Sequence, residues 1–136
     1  MRYLSLDLGD RRIGVAVSDS LGMIARPLEV FQRTSRQSDF QHIRALVDEL
    51  GVETIVVGLP INMDGTEGGQ ADWVRDYTSA LRKAIAVPVV LWDERLSTEE
   101  AKEIMRAQGR EPRREEIDAV AAAVILQGYL DAHRSG

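Results

Sequence analysis

Acidic residues stand at three places in this sequence where a solvent-exposed charge is not expected. Asp7 ends the first strand-like run, the adjacent Asp93 and Glu94 end the last one, and Asp118 interrupts an apolar stretch near the C-terminus. Two divalent ions roughly 3.5–4 Å apart can activate a water and stabilise a leaving oxygen in phosphodiester hydrolysis. Hard ions such as Mg²⁺ and Mn²⁺ take carboxylate oxygens as ligands. This set of acids therefore matches what metal-dependent hydrolysis of a phosphodiester would need.

Asp118 is the most informative of these acids, because apolar residues surround it on nearly every side of its helix. A helix that is apolar all round is expected to be buried. A buried carboxylate shifts its pKa, pairs with a cation or binds a metal. The alternative is an aspartate in the first helical turn, stabilised by the helix dipole. The sequence does not decide between these two interpretations.

Asp93 and Glu94 are neighbours in a predicted strand and must point to opposite faces of it. Alternation places Asp93 on the face of Leu91 and Glu94 on the face of Trp92. Only one of the two can readily share a site with the first-strand acid, and alternation does not say which. The other acid is predicted to pair with Arg95 or another basic residue.

Hydrophobic periodicity predicts the order β-β-β-α-β-α-β-α-α. Alternating or continuous apolar runs indicate strands, and spacing of three to four residues indicates helices. The first three strands should form an antiparallel meander, and the remaining elements alternate, which implies an α/β fold with a central sheet covered by helices. We expect one domain over residues 1–136. The predicted strands are 2–8, 13–18, 28–32, 54–58 and 87–92, and the predicted helices are 40–50, 73–85, one following an N-cap at Ser97, and 115–132.

Composition removes several classes of site. The 136 residues are 44% hydrophobic and 29% charged, as in a globular protein, and contain no cysteine. Thiolate metal sites, disulfides and cysteine nucleophiles are therefore excluded. The two histidines, His42 and His133, are far apart, so a histidine-built metal site is not expected. With no signal-peptide pattern and no apolar run of membrane-spanning length, we expect a cytoplasmic protein without membrane contact.

The net charge of −5 is unfavourable for a nucleic-acid partner, because phosphate contacts need positive charge. Local distribution matters more than the total. Arginines cluster in three places: Arg11 with Arg12, Arg33 with Arg36, and four between Met105 and Arg114 (Arg106, Arg110, Arg113 and Arg114). Any single one of these arginines is also compatible with ordinary surface charge.

A polar, glycine-rich loop from Leu59 to Gly69 separates a predicted strand from a predicted helix. Asn62, Asp64 and Thr66 have side chains able to contact a nucleic-acid backbone. The alternative is a structured turn built on the Asp64–Gly65 pair. We interpret the loop as a flexible gate for substrate.

Four segments together resemble the YqgF/RuvX family, in the right order and over nearly the whole chain. They are DLGDRRIGVAVSD (7–19), GLPINMDGTEG (58–68), WDERLST (92–98) and IDAVAAAVILQGYL (117–130). The family is similar in fold to ribonuclease H and to RuvC-type Holliday junction resolvases. The resemblance thus implies a ribonuclease H-like fold with a mixed five-stranded sheet.

The family's described activities imply a function and a set of site residues. Members are described as pre-16S ribosomal RNA nucleases, and a junction-resolvase role is also proposed. The resemblance implies that Asp7, Glu94 and Asp118 are catalytic and bind Mg²⁺ or Mn²⁺, and it favours Glu94 over Asp93. Arg11 stands where the family often has lysine, which keeps a charge suited to phosphate. The predicted substrate contacts are Arg11, Asn62 and Arg95.

The resemblance also implies partners and leaves alternatives. RNA is favoured over DNA as substrate, with the pre-30S ribosomal particle as a further partner, for a monomer or a homodimer. Junction cutting would need two active sites and hence a dimer. One rival is an actin-like or sugar-kinase ATPase, whose first phosphate motif resembles residues 7–16, although such enzymes need two domains to enclose ATP. Another is a non-catalytic module that binds RNA or a ribosome-assembly partner.

Overall fold

The computed structural model describes residues 1–96, 99–107 and 116–134. The predicted N-cap Ser97 and three arginines of the predicted basic connector (Arg110, Arg113 and Arg114) lie outside these residues. The elements in chain order are β1 (Tyr3–Leu8), β2 (Arg12–Ser18), β3 (Ala25–Gln32), α1 (Arg36–Leu50), β4 (Thr54–Leu59), α2 (Gly69–Ala84), β5 (Val89–Asp93), a 3₁₀ turn (Glu94–Leu96), α3 (Glu99–Ala107) and α4 (Ile117–Ala132).

A mixed sheet of five strands in the order β3-β2-β1-β4-β5 forms the centre of the fold. β1, β2 and β3 pair as the predicted antiparallel meander, while β4 runs parallel to β1 and β5 runs parallel to β4. Parallel strands bring their carboxyl ends to one edge of the sheet, where ligand sites form in α/β folds. The ends of β1, β4 and β5 therefore define the edge where the predicted acids should meet.

Each face of the sheet is covered by helices, and the alternation in β1 separates the two layers. Leu4, Leu6 and Leu8 pack against α1 and α2, as the period of two predicts. On the other face Ser5 lies under α4, where its hydroxyl donates to the Ala122 carbonyl oxygen at 2.7 Å. The short continuous strand β4 is buried on both faces, as a β-branched apolar run predicts.

Local signals explain where α1 begins and ends. The Ser35 hydroxyl accepts a hydrogen bond from the Ser38 backbone N–H and caps the first turn. Gly51 ends the helix with a left-handed φ of 66°, a conformation that favours glycine, and the sequence prediction of that stop is confirmed. No helix in the described part of the chain is both long and apolar enough to span a bilayer.

Candidate active site

Asp7 lies one residue before the end of β1 and faces α4. Asp7 and Ser5 lie on the same face of β1, and the Ser5 hydroxyl bonds to α4. Asp7 also stands opposite Gly14 in the β1–β2 ladder. Residues directly opposite in an antiparallel pair project to the same face. A side chain on Gly14 would therefore point at α4 beside Asp7.

Gly14 allows the start of α4 to rest on the backbone of β2. A Cβ atom placed on Gly14 would overlap the Asp118 carbonyl group and lie 2.9 Å from the Ala119 nitrogen. Such contacts are closer than real Cβ atoms approach. Because Gly14 has no side chain, Asp118, at the second position of α4, can lie at the carboxyl end of β1.

Gly58 does the same for Glu94. It lies one residue beyond the Leu6–Val57 pair, on the strand that runs beside Asp7. A Cβ atom on Gly58 would lie 2.8 Å from Glu94 Oε1 and 2.7 Å from Ile125 Cδ1. The Glu94 side chain therefore occupies the space above Gly58, next to the first acid.

The structure separates Asp93 from Glu94. Leu91 packs with the α1–α2 layer and Trp92 with the α3–α4 layer, so the α4 side is the face of Glu94. The chain leaves the strand at Glu94 and enters the 3₁₀ turn. Asp93 instead accepts hydrogen bonds from the Arg95 backbone N–H at 2.9 Å and guanidinium Nη2 at 2.8 Å. This pairing keeps the pKa of Asp93 below its ordinary value.

Burial and mutual repulsion make Asp7 and Glu94 reluctant to ionise. Burial raises the pKa of Asp7 from 3.8 to about 6, and the charge of Asp118 adds to the effect. Burial also raises the pKa of Glu94 from 4.5 to about 7, with further contributions from Asp7 and Asp93. Desolvation disfavours a carboxylate, and nearby negative charge disfavours it further. Two carboxyl groups with raised pKa values at one sheet edge mark a candidate functional site.

Asp118 is less isolated than its apolar helix suggests. Its side chain is 34% exposed, and its Oδ2 lies 3.1 Å from Nε of Arg12, the first residue of β2. The expectation of a deeply buried acid was therefore too strong, because Asp118 occupies the first turn of α4 at the rim of the sheet. Of the outcomes open to this acid, the structure shows pairing with a cation. Among the described residues, no three acidic or histidine side chains already form a group able to hold a metal ion.

The donor set nevertheless suits Mg²⁺ or Mn²⁺. Asp7 and Glu94 supply carboxylate oxygens, the ligands that hard divalent cations prefer. The charges that raise both pKa values are negative, so a cation between these groups would offset their repulsion. Asp118 would complete the set after exchanging its present partner.

The three predicted substrate contacts lie in different surroundings. Arg11 is exposed in the turn between β1 and β2. Arg95 is bound to Asp93, and its Nη1 also reaches the Asn62 carbonyl oxygen at 3.4 Å. The Asn62 amide donates to the Thr66 hydroxyl at 3.1 Å. Their predicted roles in substrate binding stay predictions.

The loop between β4 and α2 is organised as the turn that Asp64–Gly65 predicts. Asp64 Oδ1 accepts hydrogen bonds from the Thr66 backbone N–H and hydroxyl, at 2.9 and 2.6 Å, and Gly65 has a φ of 88°. Glu67 accepts two hydrogen bonds from the Arg75 guanidinium of α2. Its polar side chains thus stabilise the loop itself.

Sequence reasoning missed three residues that build the site: Arg12, Gly14 and Gly58. A glycine inside a strand pattern is a sign of close backbone approach, and both strands contain one. The ion pair of Arg12 carries no comparable signal, because its partner lies more than a hundred positions away.

Gly58→Ala is expected to displace the Glu94 carboxylate while leaving the rest of the sheet intact. To make room for the new methyl group, Glu94 Oε1 and Ile125 Cδ1 would have to move by several tenths of an ångström. Both atoms are at the ends of flexible side chains. We expect a loss of about 1–2 kcal/mol in unfolding free energy, at the lower end for overpacking. Urea denaturation and cleavage assays check this prediction. A cleavage loss that is fully accounted for by the unfolded fraction of the variant would contradict it.

Comparison with known proteins agrees with this architecture. The structure of T. thermophilus RuvC in complex with Holliday junction substrate superposes with a TM-score of 0.64 at 14% identity, covering 97% of this chain and 96% of that one. The protein therefore has an α/β fold of the ribonuclease H-like type.

The sequence comparisons identify the family. A family model described as "RuvX: Holliday junction resolvase" matches residues 1–132. A protein of Anaeromyxobacter sp. (strain Fw109-5) is 50% identical over 137 residues, 99% of this chain and 100% of its own length. One from Halothermothrix orenii is 49% identical over 133 residues, 96% of this chain and 95% of its own. Both are named "Putative pre-16S rRNA nuclease". The chain belongs to the RuvX family and is a nuclease, as the sequence motifs predict.

Proposed function

We propose that this nuclease cuts RNA in the 5′-end maturation of pre-16S ribosomal RNA, using divalent metal ions held by Asp7, Glu94 and Asp118. The observation that carries the catalytic proposal is the pair of partly buried carboxyl groups with raised pKa values at the ends of β1 and β5. The substrate proposal is supported by the names of relatives that match nearly the full chain. The pre-30S ribosomal particle is the corresponding partner, and the cytoplasm is where it would be met.

The proposed roles follow from the position of each side chain. A bound divalent ion would lower the pKa of a water and stabilise charge on the leaving oxygen. Asp7 on β1 and Glu94 in the turn after β5 would provide oxygen ligands from the two sides of β4, and Gly58 of β4 leaves room for the second of them. Arg11, in the exposed turn after β1, is placed to pair with a phosphate. Arg95 holds the Asn62 loop at the rim and thereby positions any contact Asn62 makes with substrate.

A four-way DNA junction is the second candidate substrate. The family description and the fold shared with a junction-bound RuvC favour it. A symmetric junction presents two equivalent strands, so this activity requires a homodimer with two active sites, whereas RNA cutting is compatible with a monomer. The oligomeric state and the substrate are therefore tested together.

Cleavage assays with matched acid variants test the proposal. The protein is incubated with single-stranded RNA, a pre-rRNA fragment and a synthetic four-way DNA junction, each with Mg²⁺, Mn²⁺ or EDTA. We expect RNA to be cut only with a metal ion. Glu94→Gln should slow cutting by about a thousandfold, equivalent to several kcal/mol of lost charge stabilisation. Asp93→Asn, a change in the adjacent acid bound to Arg95, should stay within about tenfold of wild type.

Each opposite result removes a specific part of the proposal. Equal rates for wild type and Glu94→Gln would show that this acid is not part of the active site. Symmetric resolution of the junction with the RNA left intact would transfer the substrate assignment to DNA. Undiminished cutting in EDTA would exclude the metal-dependent mechanism.

A further inference from the structure

Arg12 holds one acid of the candidate site. Its backbone is fixed by the tight turn after β1, where the Gly9 N–H donates to the Arg12 carbonyl oxygen at 2.9 Å. Its guanidinium Nε lies 3.1 Å from Asp118 Oδ2, and the Arg12 side chain is 61% exposed. The first residue of β2 thus connects the edge of the sheet to the first turn of α4.

This ion pair occupies one of the three acids that are proposed to bind metal. Asp7 and Glu94 repel each other's charge, whereas Asp118 has its own cation. A carboxylate oxygen that faces a guanidinium is not free to bind a second cation. Exposed ion pairs are weak, however, so a divalent cation can compete for Asp118.

We propose that Arg12 is an exchange residue: it pairs with Asp118 in the metal-free protein and with a phosphate oxygen of the nucleic acid once a divalent cation has taken Asp118. This inference rests on the proposed metal-dependent function and adds a residue to it. A guanidinium presents a planar set of donors that matches a phosphate. The released side chain is already largely exposed at the edge where the substrate must lie.

Arg11 provides a matched control because it is the adjacent arginine in the same turn. It is exposed, and among the residues the structure describes its side chain forms no ion pair. Arg33 is less suitable, since its guanidinium donates to the Gly9 and Asp10 carbonyl oxygens and supports the turn. Replacing either Arg11 or Arg12 by glutamine removes one positive charge, but only Arg12→Gln frees Asp118.

Metal binding is the first readout, measured as free Mn²⁺ by electron paramagnetic resonance on the full-length protein. Arg12→Gln should tighten Mn²⁺ binding by about three- to tenfold, because the competing partner of Asp118 is gone. Arg11→Gln should tighten it by less than about twofold, since salt screens a distant exposed charge. Equal effects of the two variants would reduce Arg12 to a general electrostatic contribution and overturn the exchange.

RNA binding is the second readout, measured by fluorescence anisotropy in Ca²⁺ and in EDTA. With Ca²⁺, Arg12→Gln should weaken binding by about fivefold, the loss of one charge-assisted phosphate contact. In EDTA it should change binding by less than about twofold, because Arg12 is then engaged with Asp118. Arg11→Gln should weaken binding equally in both conditions. Equal weakening by Arg12→Gln in both conditions would contradict the proposal.

Failure of the exchange is distinguishable from failure of the proposed function. Glu94→Gln should lower Mn²⁺ affinity if the metal site is correctly assigned. If Glu94→Gln leaves Mn²⁺ binding unchanged, the metal site itself is wrong and the role of Arg12 is lost with it. If Glu94→Gln weakens Mn²⁺ binding while Arg12→Gln and Arg11→Gln behave alike, the metal site stands and only the exchange is rejected.

Discussion

Asp7→Asn is expected to slow cleavage strongly and at the same time to make the metal-free protein more stable at pH 8. The rate should fall by about a thousandfold, because a central carboxylate of the proposed metal site is lost. The stability should rise because the wild-type protein keeps an ionised, partly buried Asp7 beside the negative charge of Asp118. Asparagine keeps the shape and removes the charge.

The pH dependence gives the sign of this stability effect. The pKa of Asp7 is about 6 in the folded protein and near 3.8 in an ordinary carboxyl group. From pH 4 to 6 the folded state therefore binds the proton more tightly than the unfolded chain, so wild-type stability falls as the pH rises through that window. The raised pKa of Glu94, about 7, extends the decline. After a discount for partial exposure, Asp7→Asn should gain on the order of 1–2 kcal/mol at pH 8 and little at pH 4.5.

Urea denaturation in EDTA at the two pH values measures this gain. Asp93→Asn is the control, because the pKa of Asp93 is lowered by its hydrogen bonds from Arg95. An acid with a lowered pKa contributes stability that is present at neutral pH, so its removal should be neutral or destabilising at pH 8. A loss of stability for Asp7→Asn at pH 8, or a gain that does not depend on pH, would contradict a raised pKa of Asp7 in the folded protein.

The sequence predicts the layers of this fold because each layer leaves a periodic record. Period two in β1 separates Leu6 from Asp7, and the apolar run of β4 predicts a strand buried on both faces. The stop of α1 at Gly51 follows from local geometry. Element type and order are thus determined by short-range patterns, and the motif resemblance then identifies the family.

The arrangement of the site depends on contacts between distant elements, which such patterns do not contain. Alternation separates Asp93 from Glu94 but cannot say which face α4 will cover. The Arg12–Asp118 pair joins two elements that meet only after the sheet has formed. The apolar character of α4 suggested an isolated Asp118. The hydrophobic pattern describes the environment of the helix as a whole, but it does not show that the first turn lies at the rim of the sheet.

The two strand glycines, Gly14 and Gly58, are visible in the sequence and shape the site. Substitution of Gly14 is the second change with a large expected effect. A methyl group at Gly14 would overlap backbone atoms of Asp118, which cannot rotate away as a flexible side chain can. Helix α4 must therefore shift off β2. We expect Gly14→Ala to lose about 2–3 kcal/mol of unfolding free energy, the upper range for overpacking. Cleavage should fall by about a hundredfold or more even though Asp7, Glu94 and Asp118 are all present, because a displacement near 1 Å misplaces a catalytic group.

Gly69→Ala is the matched control for this substitution. Gly69 is the first residue of α2, and a Cβ atom there would have no neighbour within 4 Å. Alanine is the better helix former, so this variant should keep full activity and gain up to about 1 kcal/mol. The comparison uses the same chemical change at a crowded and an open position, with urea denaturation and cleavage rates measured on both proteins. Wild-type cleavage by Gly14→Ala would mean that the close contact of α4 with β2 does not position Asp118 for catalysis.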